Sequence, residues 1–192
     1  MKTCLWLVVP LALAGAPAQA QMIAADRPGV GSEPETVPQF TLQGEWGTDA
    51  REVRLGVLKG FELDRDDTSW GAKLALVDKD RFKLSVRGAR GDDGTIALEA
   101  PANVAFKDWL SVTTDVIWTR AAQTYAAEVN VNPTPRLTLS PSVYYDDKPR
   151  VALFAAWVLP HADNLQIDIG YDRQRVIVGI STAINLRKLL RR

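Results

Sequence analysis

From Arg150 to Leu186 the chain reads RVALFAAWVLPHADNLQIDIGYDRQRVIVGISTAINL, with an apolar residue at every second position. Val151, Leu153, Ala155, Trp157 and Leu159 form one series; Leu165, Ile167, Ile169 and Tyr171 a second; Val176, Val178, Ile180, Thr182 and Ile184 a third. A period of two marks a strand, because successive side chains point to opposite faces. The pattern begins at Pro38, and no helical period replaces it afterwards. Eleven runs read as strands: Gln39–Gly47, Glu52–Leu63, Ser69–Val77, Phe82–Arg90, Thr95–Phe106, Trp109–Arg120, Thr124–Asn130, Arg136–Tyr145, Arg150–Leu159, Asn164–Tyr171 and Arg175–Leu186. The connectors DRDDT, DKDR, GDDG, NPTP, DDKP, PHAD and DRQ are rich in turn formers. They are too short for crossover helices, so neighbouring strands are antiparallel. The expected fold is all-β: an antiparallel up-and-down meander of about 10 to 12 strands. Open edges invite aggregation, so the sheet closes into a β-barrel or folds over as a sandwich.

The face opposite the apolar one separates lipid from water. In the C-terminal half it carries Thr138, Ser140, Ser142, Ala152, Phe154, Ala156, Val158, Gln166, Asp168, Gly170, Ile177, Gly179, Ser181 and Ala183, without a lysine. A sheet surface in water carries Lys, Glu and Arg there, whereas a narrow lumen needs small side chains. Nearer the N-terminus the same face holds charges of both signs between small residues such as Gly56, Gly60, Gly71, Ala75, Ser85 and Ala89. Strand parity makes Arg54, Glu62, Lys73, Arg87, Glu128 and Asp168 the candidate lumen-facing residues, with Lys83, Glu99 and Asp115 on the same face. Phe40, Trp46, Phe61, Trp70, Phe82, Phe106, Trp109, Trp118, Tyr144, Tyr145, Trp157 and Tyr171 sit near strand ends, where membrane barrels carry aromatic girdles.

The first twenty residues, MKTCLWLVVPLALAGAPAQA, have a basic start, a short apolar run and an A-x-A site, and read as a signal peptide. Residues 21–37 read as a flexible lead-in, 38–186 as the barrel domain, and 187–192 as a basic, frayed tail. Cys4 is the only cysteine and lies in the leader, so the chain after it has neither disulfides nor thiolate metal sites. Charges balance at 23 basic and 23 acidic residues, which argues against nucleic acid as a partner.

With its leader, its lead-in and runs such as RLTLSPSVYYDD, RVALFAAWVLP, LQIDIGYD and RVIVGISTAINL, the chain resembles the bacterial outer-membrane β-barrel proteins over residues 38–186. The resemblance implies export, insertion in the outer membrane of a Gram-negative bacterium, and outer-membrane lipid as a partner, with an envelope protein as a further one. Two features depart from that pattern. The tail RKLLRR follows the last strand, where such barrels end on an aromatic residue. Eleven runs are also an odd count where single-chain bacterial barrels have an even one. Either Gln39–Gly47 or the proline-broken Thr95–Phe106 is then not a strand, or one strand is hidden.

Catalytic chemistry has little to stand on. His161, the only histidine, lies in a turn with Asp163 two residues on. The pairs Asp66–Asp67, Asp92–Asp93 and Asp146–Asp147 fall in hairpin turns, where Asp bonds to nearby backbone. GARGDDG lacks the lysine and helix of a phosphate loop. The sequence therefore predicts a non-enzymatic barrel without metal or cofactor, in a structural or narrow-channel role. Two alternatives stand beside it: a soluble periplasmic barrel or sandwich that binds an apolar ligand with its apolar face inward, and an outer-membrane enzyme using His161.

Overall fold

A computed structural model describes residues 34–48, 51–145, 148–172 and 175–190. The leader and most of the lead-in, residues 1–33, lie outside the described residues, as does the Asp146–Asp147 pair. The chain forms β1 (Thr41–Gly47), β2 (Arg51–Leu58), β3 (Phe61–Asp66), β4 (Ser69–Lys79), β5 (Phe82–Gly91), β6 (Ile96–Glu99), β7 (Ala102–Lys107) and β8 (Leu110–Thr119). It continues through β9 (Gln123–Thr134), β10 (Leu137–Tyr145), β11 (Pro149–Val158), β12 (Leu165–Asp172) and β13 (Arg175–Asn185), and ends in a five-residue helix, α1 (Leu186–Leu190).

Each strand pairs antiparallel with its neighbours, and β1 closes the ring on β13 from Thr41 opposite Asn185 to Gly47 opposite Gly179. The thirteen segments make a twelve-stranded barrel, because β6 and β7 are halves of one strand. Against β5, Glu99 faces Arg87 and Val104 faces Phe82 in a single register. Against β8, Glu99 faces Ile117 and Ala102 faces Thr114, again without a shift. Pro101 has no N–H to give and interrupts the ladder locally. The Pro101 carbonyl still accepts from Ser85 N–H (3.1 Å), and Ala100 N–H donates to the Val116 carbonyl (3.0 Å).

Both suspect runs are therefore strands, and the hidden one lies inside Glu52–Leu63. That run is a hairpin: β2 and β3 are joined by Lys59–Gly60, where Gly60 takes φ 77°, a left-handed conformation readily adopted only by glycine. The even count follows.

The apolar alternation points out of the barrel. Val151, Leu153, Ile169, Val176, Val178 and Ile180 are all exposed. An inward-turned apolar face, as the soluble alternative needs, is not the arrangement found. Exposed aromatics collect at both ends of this belt. Trp46, Trp70, Tyr125, Tyr145 and Tyr171 ring one rim, while Phe82, Phe106, Trp109 and Trp157 ring the rim where the chain enters β1 and leaves β13. Arg65 stacks over Trp70 (4.9 Å) and Lys107 over Trp109 (5.6 Å), keeping cations at the rims. Tyr144 does not join the girdle. It is buried inside, and its hydroxyl reaches Asp172 Oδ1 at 3.1 Å.

The C-terminal tail is not simply frayed. Leu186 N–H donates to the Phe40 carbonyl (2.8 Å), Lys188 N–H to Asn185 Oδ1 (3.2 Å), and the Arg187 guanidinium lies 4.0 Å over the Phe40 ring. These contacts fix residues 186–190 as a short helix on the rim.

Candidate functional site

The barrel interior is the candidate site, and its residues come from the inward parity of every strand. The arc formed by β2 to β6 carries two ion-pair clusters. In the first, Glu62 accepts from Arg54 Nε (3.0 Å) and Nη2 (2.8 Å) and from Lys73 Nζ (2.9 Å). Its other oxygen accepts the Val37 N–H at 2.5 Å. Lys73 and Glu62 are each 1% exposed; removal of Glu62 would take away the buried carboxylate that Arg54 and Lys73 share. In the second cluster, Arg87 donates through Nη2 to Asp64 Oδ1 (2.5 Å) and through Nη1 to Glu99 Oε1 (2.6 Å), with Asp66 3.7 Å away. Such charge-assisted forks hold guanidinium and carboxylates in fixed geometry.

Next along the ring, β7 to β10 contribute a neutral polar network. Asn103 Nδ2 donates to Thr113 Oγ1 (2.9 Å), Asn130 Nδ2 donates to the same hydroxyl (3.1 Å), and Ser140 donates to Asn130 Oδ1 (2.8 Å). The opposite arc adds a small apolar cluster of Ala126, Tyr144, Ala152, Phe154 and Ile177. Gly170 lies under the Phe154 ring so closely that a Cβ would overlap it. The sequence places a glycine where the inward ring needs room.

At the rim where the chain enters β1 and leaves β13 the interior opens into a cavity of about 1190 Å³, whose lining includes Arg54, Lys83, Asn103, Asn132, Thr138 and Gln166. The cavity is wet in character: its walls carry hydroxyl, amide and charged groups.

All six residues singled out by parity are buried, at 7% exposure or less. The structure brings Arg54, Glu62 and Lys73 into one cluster and sets Arg87 at the centre of another. Asp168 stands apart, accepting from Gln166 Nε2 (2.7 Å) and Ser181 Oγ (3.4 Å), and Glu128 sits opposite Thr113 and Ser142 on β9. Sequence reasoning overlooked Asp64, whose even parity with Glu62 was available, and the inward turn of Tyr144. It also assigned residues 34–37 to a flexible lead-in, whereas Pro34 and Val37 are buried against the inner wall.

The remaining chemical candidates resolve into turn structure. His161 is exposed with φ 65°, and Asp163 pairs with Arg136 (3.1 Å). Asp66 caps the Thr68 (2.7 Å) and Ser69 (2.6 Å) amides. Asp93 accepts from the Thr95 N–H (2.8 Å) and hydroxyl (2.9 Å), which hold its carboxyl below the usual carboxylate range. Asp92 is lowered likewise by the Arg65 guanidinium. Among the described residues no group of three His, Cys, Asp or Glu side chains is placed to hold a metal ion.

A closed antiparallel ring with its apolar face outward, aromatics at both rims and an ion-paired interior is the fold of an outer-membrane β-barrel. The structure is similar to that of a protein described as KdgM porin, at TM-score 0.51 and 12% sequence identity, covering 74% of this chain and 96% of the other. A second structure, described as KdgM porin in complex with disordered oligogalacturonate, matches at TM-score 0.52 over the same shares, again at 12% identity. A Rhodopseudomonas blastica porin triple mutant aligns at TM-score 0.47 and 12% identity over 70% of this chain and 55% of its own. No family model and no curated protein matches the sequence.

Proposed function

We propose that the protein is an outer-membrane channel with a narrow, charged lumen, non-enzymatic, passing small ions and polar solutes. The observation that carries this reading is the pairing of an outward apolar belt with a buried, water-compatible interior. A protein core would have the two faces exchanged. Twelve strands enclose more room than the side-chain-filled eight-stranded barrels and less than the 16–18-stranded porins, so a small conductance follows. The two structures described as KdgM porin support the reading through their fold.

Charge sets the expected selectivity. The buried described residues include eight carboxylates, Glu45, Glu62, Asp64, Glu99, Asp115, Glu128, Asp168 and Asp172, against three bases, Arg54, Lys73 and Arg87. An acidic interior of low dielectric concentrates cations. Recordings of the refolded chain in planar bilayers under a potassium chloride gradient should show small, cation-preferring events. Converting Glu128 to Gln and Asp168 to Asn together should move the reversal potential toward the anion side. An unchanged reversal potential would remove these two residues from the conduction path, and an absence of any conductance would refute the channel.

A further inference from the structure

We infer that residues 34–38 form a strap that enters the lumen and plugs it, seated on a notch in the barrel wall built for it. The inference rests on the channel reading above. The chain does not run straight into β1. It reverses at the rim through a tight turn, in which Thr41 N–H donates to the Pro38 carbonyl (3.0 Å) and Phe40 takes φ 60°. A left-handed conformation is uncommon for a bulky aromatic and persists only where the surroundings over-determine it. Here Phe40 N–H donates to the Gly56 carbonyl (2.7 Å), the Phe40 carbonyl accepts from Leu186, and Arg187 covers the ring. The turn sends the preceding residues back inside.

Within the lumen the strap lies on β2 at Gly56. A Cβ at that position would overlap the carbonyl oxygens of Val37 and Pro38, so only glycine admits the strap. Polar groups of the wall then bind its backbone: Glu62 takes the Val37 N–H (2.5 Å), and Arg54 Nη2 donates to the Glu35 carbonyl (3.0 Å). Lys83, across the mouth on β5, pairs with the Glu35 carboxylate at 2.9 Å. Val37 is 3% exposed in a lumen that is otherwise open at this rim. The Arg54–Glu62–Lys73 cluster thus has a task beyond its own pairing: it fixes a segment of the chain across the conduit. These contacts are a few hydrogen bonds and one ion pair, which suits a segment able to leave and return.

Two variants of the full chain test this, both carrying Cys4→Ser and the reporter substitution Val37→Cys. Gly56→Leu removes the seat. Glu35→Lys leaves the wall intact and replaces the ion pair with repulsion, so it remains informative if the first fails to fold, as judged by heat-modifiable migration on gels. Each variant is read by the rate at which a water-soluble methanethiosulfonate reagent labels the thiol introduced at position 37, and by single-channel conductance. Labelling is expected to rise by about tenfold, as for a local opening made more populated, with conductance rising severalfold in parallel. Labelling that matches the unaltered seat in both variants would overturn the strap while leaving the channel reading to its own recordings. Faster labelling without higher conductance, in a chain that conducts, would show the strap moving without blocking and overturn the plug. Silence of every variant in the bilayer would overturn the channel reading and the plug with it.

Discussion

Replacing Arg87 with alanine is expected to destabilise the folded barrel by about 3–5 kcal/mol, the cost of leaving buried carboxylates without their partner. Arg87 pairs with Asp64 and Glu99 at once, both inside the ring at 3% and 4% exposure, and Asp66 is the next acid along. Lysine cannot replace it, since one ammonium cannot reach both carboxylates with the fork of a guanidinium. The measurement is urea unfolding of the chain refolded in vesicles, followed by tryptophan emission. A triple change, Arg87→Met with Asp64→Asn and Glu99→Gln, should recover most of the loss, because what costs is the uncompensated charge and not the missing side chain. If Arg87→Ala unfolds at the same urea concentration as the unaltered chain, water or another cation is satisfying the two acids and the cluster is not structural.

Ile169→Arg should cost about 2–4 kcal/mol in a bilayer, the range for arginine at the midplane on the lipid face of a barrel. Ile169 lies at the middle of β12, between Ala155 and Val178 on its neighbours, and is 54% exposed. The same substitution on a water-facing surface would fall within about half a kcal/mol. The position therefore reports which solvent the belt meets. Arginine in place of Tyr171, two residues nearer the rim, should cost about 0–1 kcal/mol, since the penalty fades toward the interface. Equal, small effects at both positions would place the belt in water.

Strand parity carried most of this structure because a barrel has only two faces, and a residue's parity decides which one it meets. Parity even survived an unread turn. The run Glu52–Leu63 hides a hairpin, yet Arg54 and Glu62 both point inward as an unbroken strand would have them. The register shift between Gly56 and Leu58 moves Leu58 to the outer face, and the two-residue turn carries that face to Phe61, so Glu62 returns inside. Two parity errors cancel. What parity cannot reach is pairing between strands distant in sequence: Arg87 meets Asp64 from 23 residues away through the tilt of the ring. Tyr144 and Tyr145 are indistinguishable by residue type, and it is their parity with the inward Ser140 and Ser142 that assigns Tyr144 to the lumen and Tyr145 to the girdle, a signal masked by their both lying at a strand end where girdle aromatics are expected. The strap was illegible for a different reason. Residues 34–38 carry no period because they join no ladder, and their order comes from Gly56, Glu62, Arg54 and Lys83 on other strands.

If the apolar belt of RVALFAAWVLP and its neighbours meets lipid, the protein must resist extraction as an integral membrane protein does. The full-length chain, all 192 residues expressed in a Gram-negative host, would be followed through an outer-membrane preparation washed with alkaline carbonate and with concentrated urea. Retention in the pellet through both washes is the expected result. Release by either wash, or recovery in the periplasmic fraction, would contradict a belt in lipid.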